Sequence, residues 1–306
     1  MTQSSANGRG IVAMIGSTAC FSANDAATKV AIKWIPATEI MALRGAFTLL
    51  FVLALIGWRG EFDRFAGIKD RFLILRCGAE ATTGLLIIIA LGLMLLADVT
   101  AILLVQPFLL TITGVLLFKE VVGWRRWAAV LVGFLGMLLV VKPGSSAFNV
   151  VSLLVILAAF LVVVRDVTTR WIATEVPTTM VVVVTAFMGV VIGGSGALAG
   201  NWQMPNFEAL AAVVIAAAFF VFAIMLSVVA FRDTDVSVVA PFRYALVLFA
   251  VIYGVLLFAE FPDALSLTGI GLIVGAGIYM LHREAVLQGQ MRAARADAIA
   301  GRGRHP

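Results

Sequence analysis

The sequence predicts an all-α integral membrane protein of ten transmembrane helices, built as two inverted five-helix repeats. Three observations lead there. First, 62% of the 306 residues are apolar and 13% are charged, with a mean hydropathy of +1.08. Soluble domains run at about 45–50% and about 25%. Second, the apolar residues gather into ten runs near the length of about 20 residues that crosses about 30 Å of hydrocarbon. Third, Gly114-Val115-Leu116-Leu117-Phe118-Lys119-Glu120 recurs 140 positions later as Gly254-Val255-Leu256-Leu257-Phe258-Ala259-Glu260, with six of seven letters kept. A self-match of this kind marks an internal duplication.

In chain order, residues 1–10 form a short polar amino terminus. The first repeat, 11–142, holds spans near 11–33, 38–57, 72–92, 97–118 and 124–142. The second, 150–282, holds spans near 150–170, 178–199, 209–230, 235–258 and 265–281. A basic tail, 283–306, follows. No small-residue cleavage site follows an apolar core of signal-peptide length, so the first span is expected to drive insertion. Cys20 and Cys77 lie inside apolar runs, and there are two histidines. Neither a disulfide, a metal constellation nor a cofactor is expected.

Orientation follows from the basic residues. With the amino terminus in the cytoplasm, 16 of the 22 lysines and arginines fall on cytoplasmic segments, Arg165 and Arg170 among them. Only Lys33 and Lys142 fall on outer ones, as the positive-inside rule requires. That asymmetry accounts for the net charge of +5 without nucleic acid. Both termini are therefore expected in the cytoplasm. All six tryptophans (34, 58, 124, 127, 171 and 202) fall at span ends, as an interfacial belt would.

Five spans per repeat is an odd number, so the second copy enters the membrane upside down. Asp25-x-x-Thr28-Lys29 recurs as Asp166-x-x-Thr169-Arg170, and Pro36 as Pro177, at an offset of 141. In the middle of the halves the register drifts: Asp98 matches Asp235 at 137, and Pro107-Phe108 matches Pro241-Phe242 at 134. Inverted repeats with a site at the midplane are the layout of secondary transporters.

Charges inside spans are the informative residues, since each costs about 2.5–3.5 kcal/mol at a helix centre on insertion scales. At about 1.5 Å per residue, Glu80 and Arg243 share a level roughly 12 Å from the cytoplasmic face. Asp25 and Arg44 lie roughly 9 Å below the outer face. Two layers are expected: Glu80 with Arg243, and Asp25 or Lys29 with Arg44. Glu80, Arg243, Tyr244, Gln106 and Phe108 are candidate substrate-binding residues, and Asp25, Lys29 and Arg44 candidate gating or coupling residues. The competing interpretation is structural ion pairing, favoured for Asp25–Lys29 and Asp166–Arg170 by their i, i+4 spacing. Pro107 and Pro241 stand in corresponding spans, where a missing N–H kinks the helix and frees a carbonyl. Gly271-x-x-x-Gly275 is expected to pack helices, within the chain or at the seam of a homodimer. Gly193-Gly194-Ser195-Gly196 is expected to be a flexible helix end.

The chain resembles the drug/metabolite transporter superfamily, EamA-type branch. The resemblance is carried by the duplicated layout and by Asn24-Asp25-x-x-x-Lys29 with Pro36 and Arg44. Further stretches are Leu117-Phe118-x-Glu120, Trp124-Arg125-Arg126-Trp127, Lys142-Pro143-Gly144, Ala240-Pro241-Phe242-Arg243-Tyr244 and Glu260-Phe261-Pro262-Asp263. Within that superfamily it is similar to bacterial S-adenosylmethionine uptake carriers, and a riboflavin-importing subgroup shares much of the pattern. The resemblance implies an inner-membrane, alternating-access carrier of a small organic metabolite, either one of these importers or an amino-acid or metabolite exporter. A membrane enzyme would need a nucleophile–base or metal cluster, and no such motif occurs. A non-transporting scaffold is the alternative class, against which the midplane charges argue.

Overall fold

A computed structural model describes residues 3–59, 70–106, 108–109, 112–113, 124–142, 150–169, 171–172, 176–200, 202–232, 240–279, 282 and 286. Pro107, the string Gly114 to Glu120, Arg170, Asp235 and nearly all of the tail 283–306 lie outside the described residues, and of Pro241 only the backbone is described.

The described chain is helical. In the first half, α1 is Gln3–Ala31, α2 Ala37–Arg59, α3 Arg71–Leu91, α4 Leu96–Leu103 and α5 Trp124–Val141. In the second, α6 is Val150–Thr169, α7 Thr178–Ala199 and α8 Phe207–Arg232. A 3-10 turn, Ala240–Tyr244, leads into α9 (Ala245–Phe258), and α10 is Ala264–Tyr279. Segments of α2, α3, α6, α7 and α8 are each long and apolar enough to cross a membrane: Ala37–Trp58, Arg71–Leu91, Val150–Thr168, Thr178–Ala199 and Phe207–Ser227. The large apolar side chains that face outward, such as Leu50, Phe134, Phe160, Phe187 and Phe222, suit a lipid surround. All six tryptophans are exposed.

Local sequence sets the helix starts. The Asp70 carboxylate accepts from the Phe72 and Leu73 N–H groups at 2.7 and 3.4 Å and caps α3. Asn206 does the same for α8 through Ala209, and Asp263 for α10 through Ser266, both at 2.8 Å. Pro36 and Pro177, one motif in two copies, each stand immediately before a helix, α2 and α7.

The halves interlock through antiparallel pairs. Along α1 and α8, Met14 packs near Ala230, Ser17 donates to the Ala223 carbonyl at 2.7 Å, and Phe21 meets Phe220 edge-on at 6.3 Å. Along α2 and α7, Gly193 lies against Thr38 and Ala42, and Gly45 against Ala186 and Val190. A Cβ at Gly193 would sit 2.5 Å from the Ala42 nitrogen, and one at Gly45 would sit 2.8 Å from the Ala186 carbonyl. These glycines let two backbones nearly touch, as small residues do at membrane helix crossings. The expectation of a flexible end at Gly193-Gly194-Ser195-Gly196 is thus corrected: α7 continues to Ala199, and Gly193 and Gly196 are packing notches against α2. Gly136 and Gly269 make the same contact between α5 and α10. Gly271 and Gly275 face open space, which removes the within-chain half of the expectation for that motif.

Among the described residues, two non-glycine residues take left-handed backbone, Lys142 (φ 50°) at the end of α5 and Ala259 (φ 51°) at the end of α9. Both stand at the face where α1 ends.

Gly193→Val should lower the thermal unfolding midpoint of the detergent-purified chain, at a cost of about 1–3 kcal/mol from overpacking. Gly194→Val, whose Cβ meets nothing within 4 Å, should leave the midpoint near that of the parent. Equal midpoints for the two variants would contradict the α2–α7 contact.

Candidate functional site

Between the two halves lies a cavity of about 630 Å³. Its wall carries Asp25 of α1, Arg44 of α2, Arg76 and Glu80 of α3, Arg165 and Asp166 of α6, and Arg243 of the 3-10 turn. Four of these form one chain of charges. Arg165 donates to Glu80 at 2.8 Å and to Asp166 at 2.8 Å, and Arg243 donates to Asp166 at 3.3 Å. The expected direct pairing of Glu80 with Arg243 is therefore corrected: the two residues are the ends of a relay through Arg165 and Asp166. A charge inside a low-dielectric bundle is tolerated when it is paired and hydrogen-bonded. Here the alternating order +, −, +, − across α6 and the 3-10 turn, ended by Glu80 of α3, supplies that pairing.

The sequence places Arg165 on the cytoplasmic fringe, near the end of the expected span 150–170. It is instead a half-buried member of the site, and Asp166 with it. The signal that points to them is the repeat itself, since Asp166 stands where Asp25 stands in the first copy.

A second cluster sits further along the cavity. Asn24 donates to the Asp25 carboxylate at 2.8 Å and accepts from Arg44 at 3.4 Å. The Arg44 guanidinium lies over the Phe220 ring at 4.8 Å. Gly84 of α3 leaves the room it needs, since a Cβ there would lie 3.0 Å from the guanidinium.

Lys29 does not join that layer, nor does it pair with Asp25 along the helix. One turn beyond, it meets Glu260 at 2.7 Å and the Met94 carbonyl at 2.5 Å. Glu260 also accepts from the Leu96 N–H at 3.0 Å, and Phe258 lies beneath the Lys29 and Lys33 ammoniums. Lys142 pairs with Asp263 at the same face. The Lys142 ammonium and the Ser266 N–H hold the Asp263 carboxyl down to about 2. The face where α1 ends carries these two pairs, and Lys29, Lys142 and Glu260 line a second, smaller pocket there. In the other direction the cavity reaches Met14, Ile172, Val176 and Ser227.

Gln106 lies on the cavity wall, whereas Tyr244 and Phe108 do not. The expectation that these two rings face a ligand is corrected by their packing. Phe108 fills a notch over Gly133 and Tyr244 one over Gly277, and both belong to the buried apolar cluster. Regular α-helix gives way just before Pro107, which lies outside the described residues, and around Pro241. The α-helix of α4 stops at Leu103, and Leu104 and Val105 turn with i, i+3 bonds to Ala101 and Ile102. Position 107 is proline, so the Leu103 carbonyl has no N–H four residues on. Leu103 and Leu104 both line the cavity. The 3-10 turn at Ala240–Tyr244 is the corresponding irregularity in the second half. Among the described residues, no group of three or more His, Cys, Asp or Glu side chains is placed to hold a metal ion.

The sequence model of the EamA-like transporter family matches residues 8–142 and again 149–282. Over 178 residues the chain is 27% identical to an S-adenosylmethionine uptake transporter of Rickettsia bellii, covering 58% of this chain and 61% of that one. It is 30% identical over 178 residues to a riboflavin transporter of Vibrio cholerae, covering 57% and 58%. The chain thus spans about three fifths of the length of these relatives. A crystal structure superposes with a TM-score of 0.63 at 19% identity, covering 90% of this chain and 96% of that one, and shares the fold.

Removing Arg165 leaves two carboxylates facing each other across α3 and α6. Arg165→Met should cost about 3–5 kcal/mol of stability, the range for breaking a buried ion pair. Adding Glu80→Gln to it should restore part of that loss, because Asp166 keeps Arg243. A thermal-unfolding double-mutant cycle reads the coupling, and additive losses would show that Arg165 and Glu80 do not interact.

Proposed function

The chain belongs to the EamA-like transporter family, and on that premise we propose that it is a secondary carrier moving a small organic metabolite across a bacterial inner membrane by alternating access. The observation that carries the proposal is the cavity. Among the described residues it holds four arginines and three carboxylates from both halves, and five of the seven (Arg44, Arg76, Glu80, Arg165 and Asp166) stand on helices long and apolar enough to cross a membrane. A scaffold gains nothing from charges at that depth, whereas a polar cargo needs them.

We take the chain to cross the membrane ten times in two inverted units, 11–142 and 150–282, with both termini cytoplasmic. The face where α1 ends is then the outer one. In that orientation the Lys29–Glu260 and Lys142–Asp263 pairs close the outside, and the cavity opens inward. Rocking of the halves around the cavity would exchange the two openings. Lys29 acts as a gate, with Pro107 and Pro241 breaking spans 4 and 9 so that backbone carbonyls and Gln106 face the cargo. Glu80 and Arg243 present charge to it through their relay, and Asp25 and Arg44 form the second layer.

For the cargo, S-adenosylmethionine-like uptake is the first choice, after the name carried by the Rickettsia relatives. Riboflavin uptake is the second, after the 30% identical Vibrio relative. Export of an amino acid or similar metabolite is the third.

Proteoliposomes containing the chain should accumulate labelled S-adenosylmethionine faster than empty ones, with riboflavin and amino acids run in parallel. Equal rates with and without protein for every candidate would refute the carrier. Glu260→Gln should loosen the outer closure by about 1 kcal/mol, or roughly fivefold in population. In a Cys20→Ser, Cys77→Ser background, a cysteine introduced at the outer end of the cavity should then react faster with an impermeant maleimide. An unchanged labelling rate would remove Lys29–Glu260 from the gate.

A further inference from the structure

We propose that Asp25, Asn24 and Arg44 form a receptor for the zwitterionic head of an α-amino acid, so that the cargo is a metabolite with a free α-ammonium and α-carboxylate. The inference rests on the carrier reading above and narrows its substrate class.

The charges on the cavity wall fall into two kinds. Glu80, Arg165, Asp166 and Arg243 satisfy one another. Asp25 and Arg44, among the described residues, make no ion pair, with each other or with a third group. Arg44 is 7% exposed and Asn24 2% exposed. A guanidinium carries five N–H donors. Arg44 gives one long bond, at 3.4 Å, to the Asn24 side-chain carbonyl and lays its face on Phe220. Its remaining edge borders the cavity. Asp25, half-buried on the same wall, accepts from the Asn24 amide at 2.8 Å.

Two opposite charges this close in a low-dielectric site gain by collapsing onto each other. Asn24 stands between them, with one end of its amide on each. It holds the cation and the anion near but apart. A ligand that completes such a site must bring an anion to Arg44 and a cation to Asp25, two groups whose charges cancel at this point of the wall. An α-amino acid does so with two adjacent groups. A neutral ring system leaves both charges unmatched, and a simple anion or cation leaves one. The Phe21–Phe220 pair lies on the same wall, so the side chain of the cargo would meet aromatic surface.

The test is binding to the purified full chain, by calorimetry and thermal shift, with matched probes. These are S-adenosylmethionine, S-adenosylhomocysteine, its methyl ester, 5′-methylthioadenosine, riboflavin, and the common L-amino acids with their methyl esters. The free amino acid forms should bind on the order of thirtyfold more tightly than the ester or the truncated nucleoside, the loss expected when one buried charge goes unpaired. Asp25→Asn and Arg44→Gln should weaken the zwitterions by a similar factor and leave 5′-methylthioadenosine unchanged. Asn24→Ala keeps both charges, lets them meet, and should also weaken zwitterions. Equal affinity for acid and ester on the unaltered chain overturns the proposal, whatever the variants do. Binding of riboflavin alone overturns it and leaves the carrier standing. No binding and no uptake of any probe overturns both.

Discussion

The cost of a charge in hydrocarbon is the constraint on which this structure depends. Seven charged side chains line one cavity inside a bundle whose outer surface is Leu, Phe and Trp. Such a group survives there by finding a partner or a wet surface. The relay from Glu80 through Arg165 and Asp166 to Arg243 meets that demand and joins the first half of the chain to the second. The same requirement shapes the helices around it. Glycines at 45, 84 and 193 give way so that backbones and one guanidinium can approach, and the apolar rings of Phe108 and Tyr244 fill notches behind the charged wall.

Much of the fold was legible in the sequence because hydrocarbon thickness leaves few choices. Run length locates α2, α3, α5, α6, α7, α8 and α10 to within a few residues, whereas α1 begins eight residues before its expected span, α4 stops at Leu103 and α9 begins only at Ala245. The site was less legible. Depth along a span can be counted, which is why Glu80, Asp25, Arg44, Arg243 and Gln106 were marked and do line the cavity. Which way a side chain points around the helix cannot be counted without knowing its neighbours. Adjacency to Arg243 therefore suggests the cavity for Tyr244, although one residue of rotation carries its ring to Gly277. Arg165 was read as fringe charge for the converse reason. It stands near a helix end, where the positive-inside rule explains arginine without any partner. Lys29 was paired by sequence spacing with its own helix, when its partner lay over two hundred residues away in Glu260.

The two copies have diverged unevenly, and the pattern of divergence is physical. Pro36 and Pro177 keep their place because both halves need a helix start there. Asp25 and Asp166 keep theirs because both carboxylates face one cavity. Their neighbours differ: Asn24 in one copy spaces a pair of charges, and Arg165 in the other bridges them. At matching acidic positions, among the described residues, one half carries a carboxylate without an ion pair and the other a carboxylate held between two arginines.

The left-handed residues Lys142 and Ala259 add a consequence at the face where α1 ends. Each is a side-chain-bearing residue in backbone that favours glycine, at a strain of about 1–3 kcal/mol. Each sits next to an ion pair: Lys142 is itself a partner, and Ala259 immediately precedes Glu260. Attraction and strain therefore act on the same short stretches of backbone. On the carrier reading proposed above, the hold of that face would be the difference between the two, so that a stronger clasp or a relaxed turn would give a better lock and a slower machine.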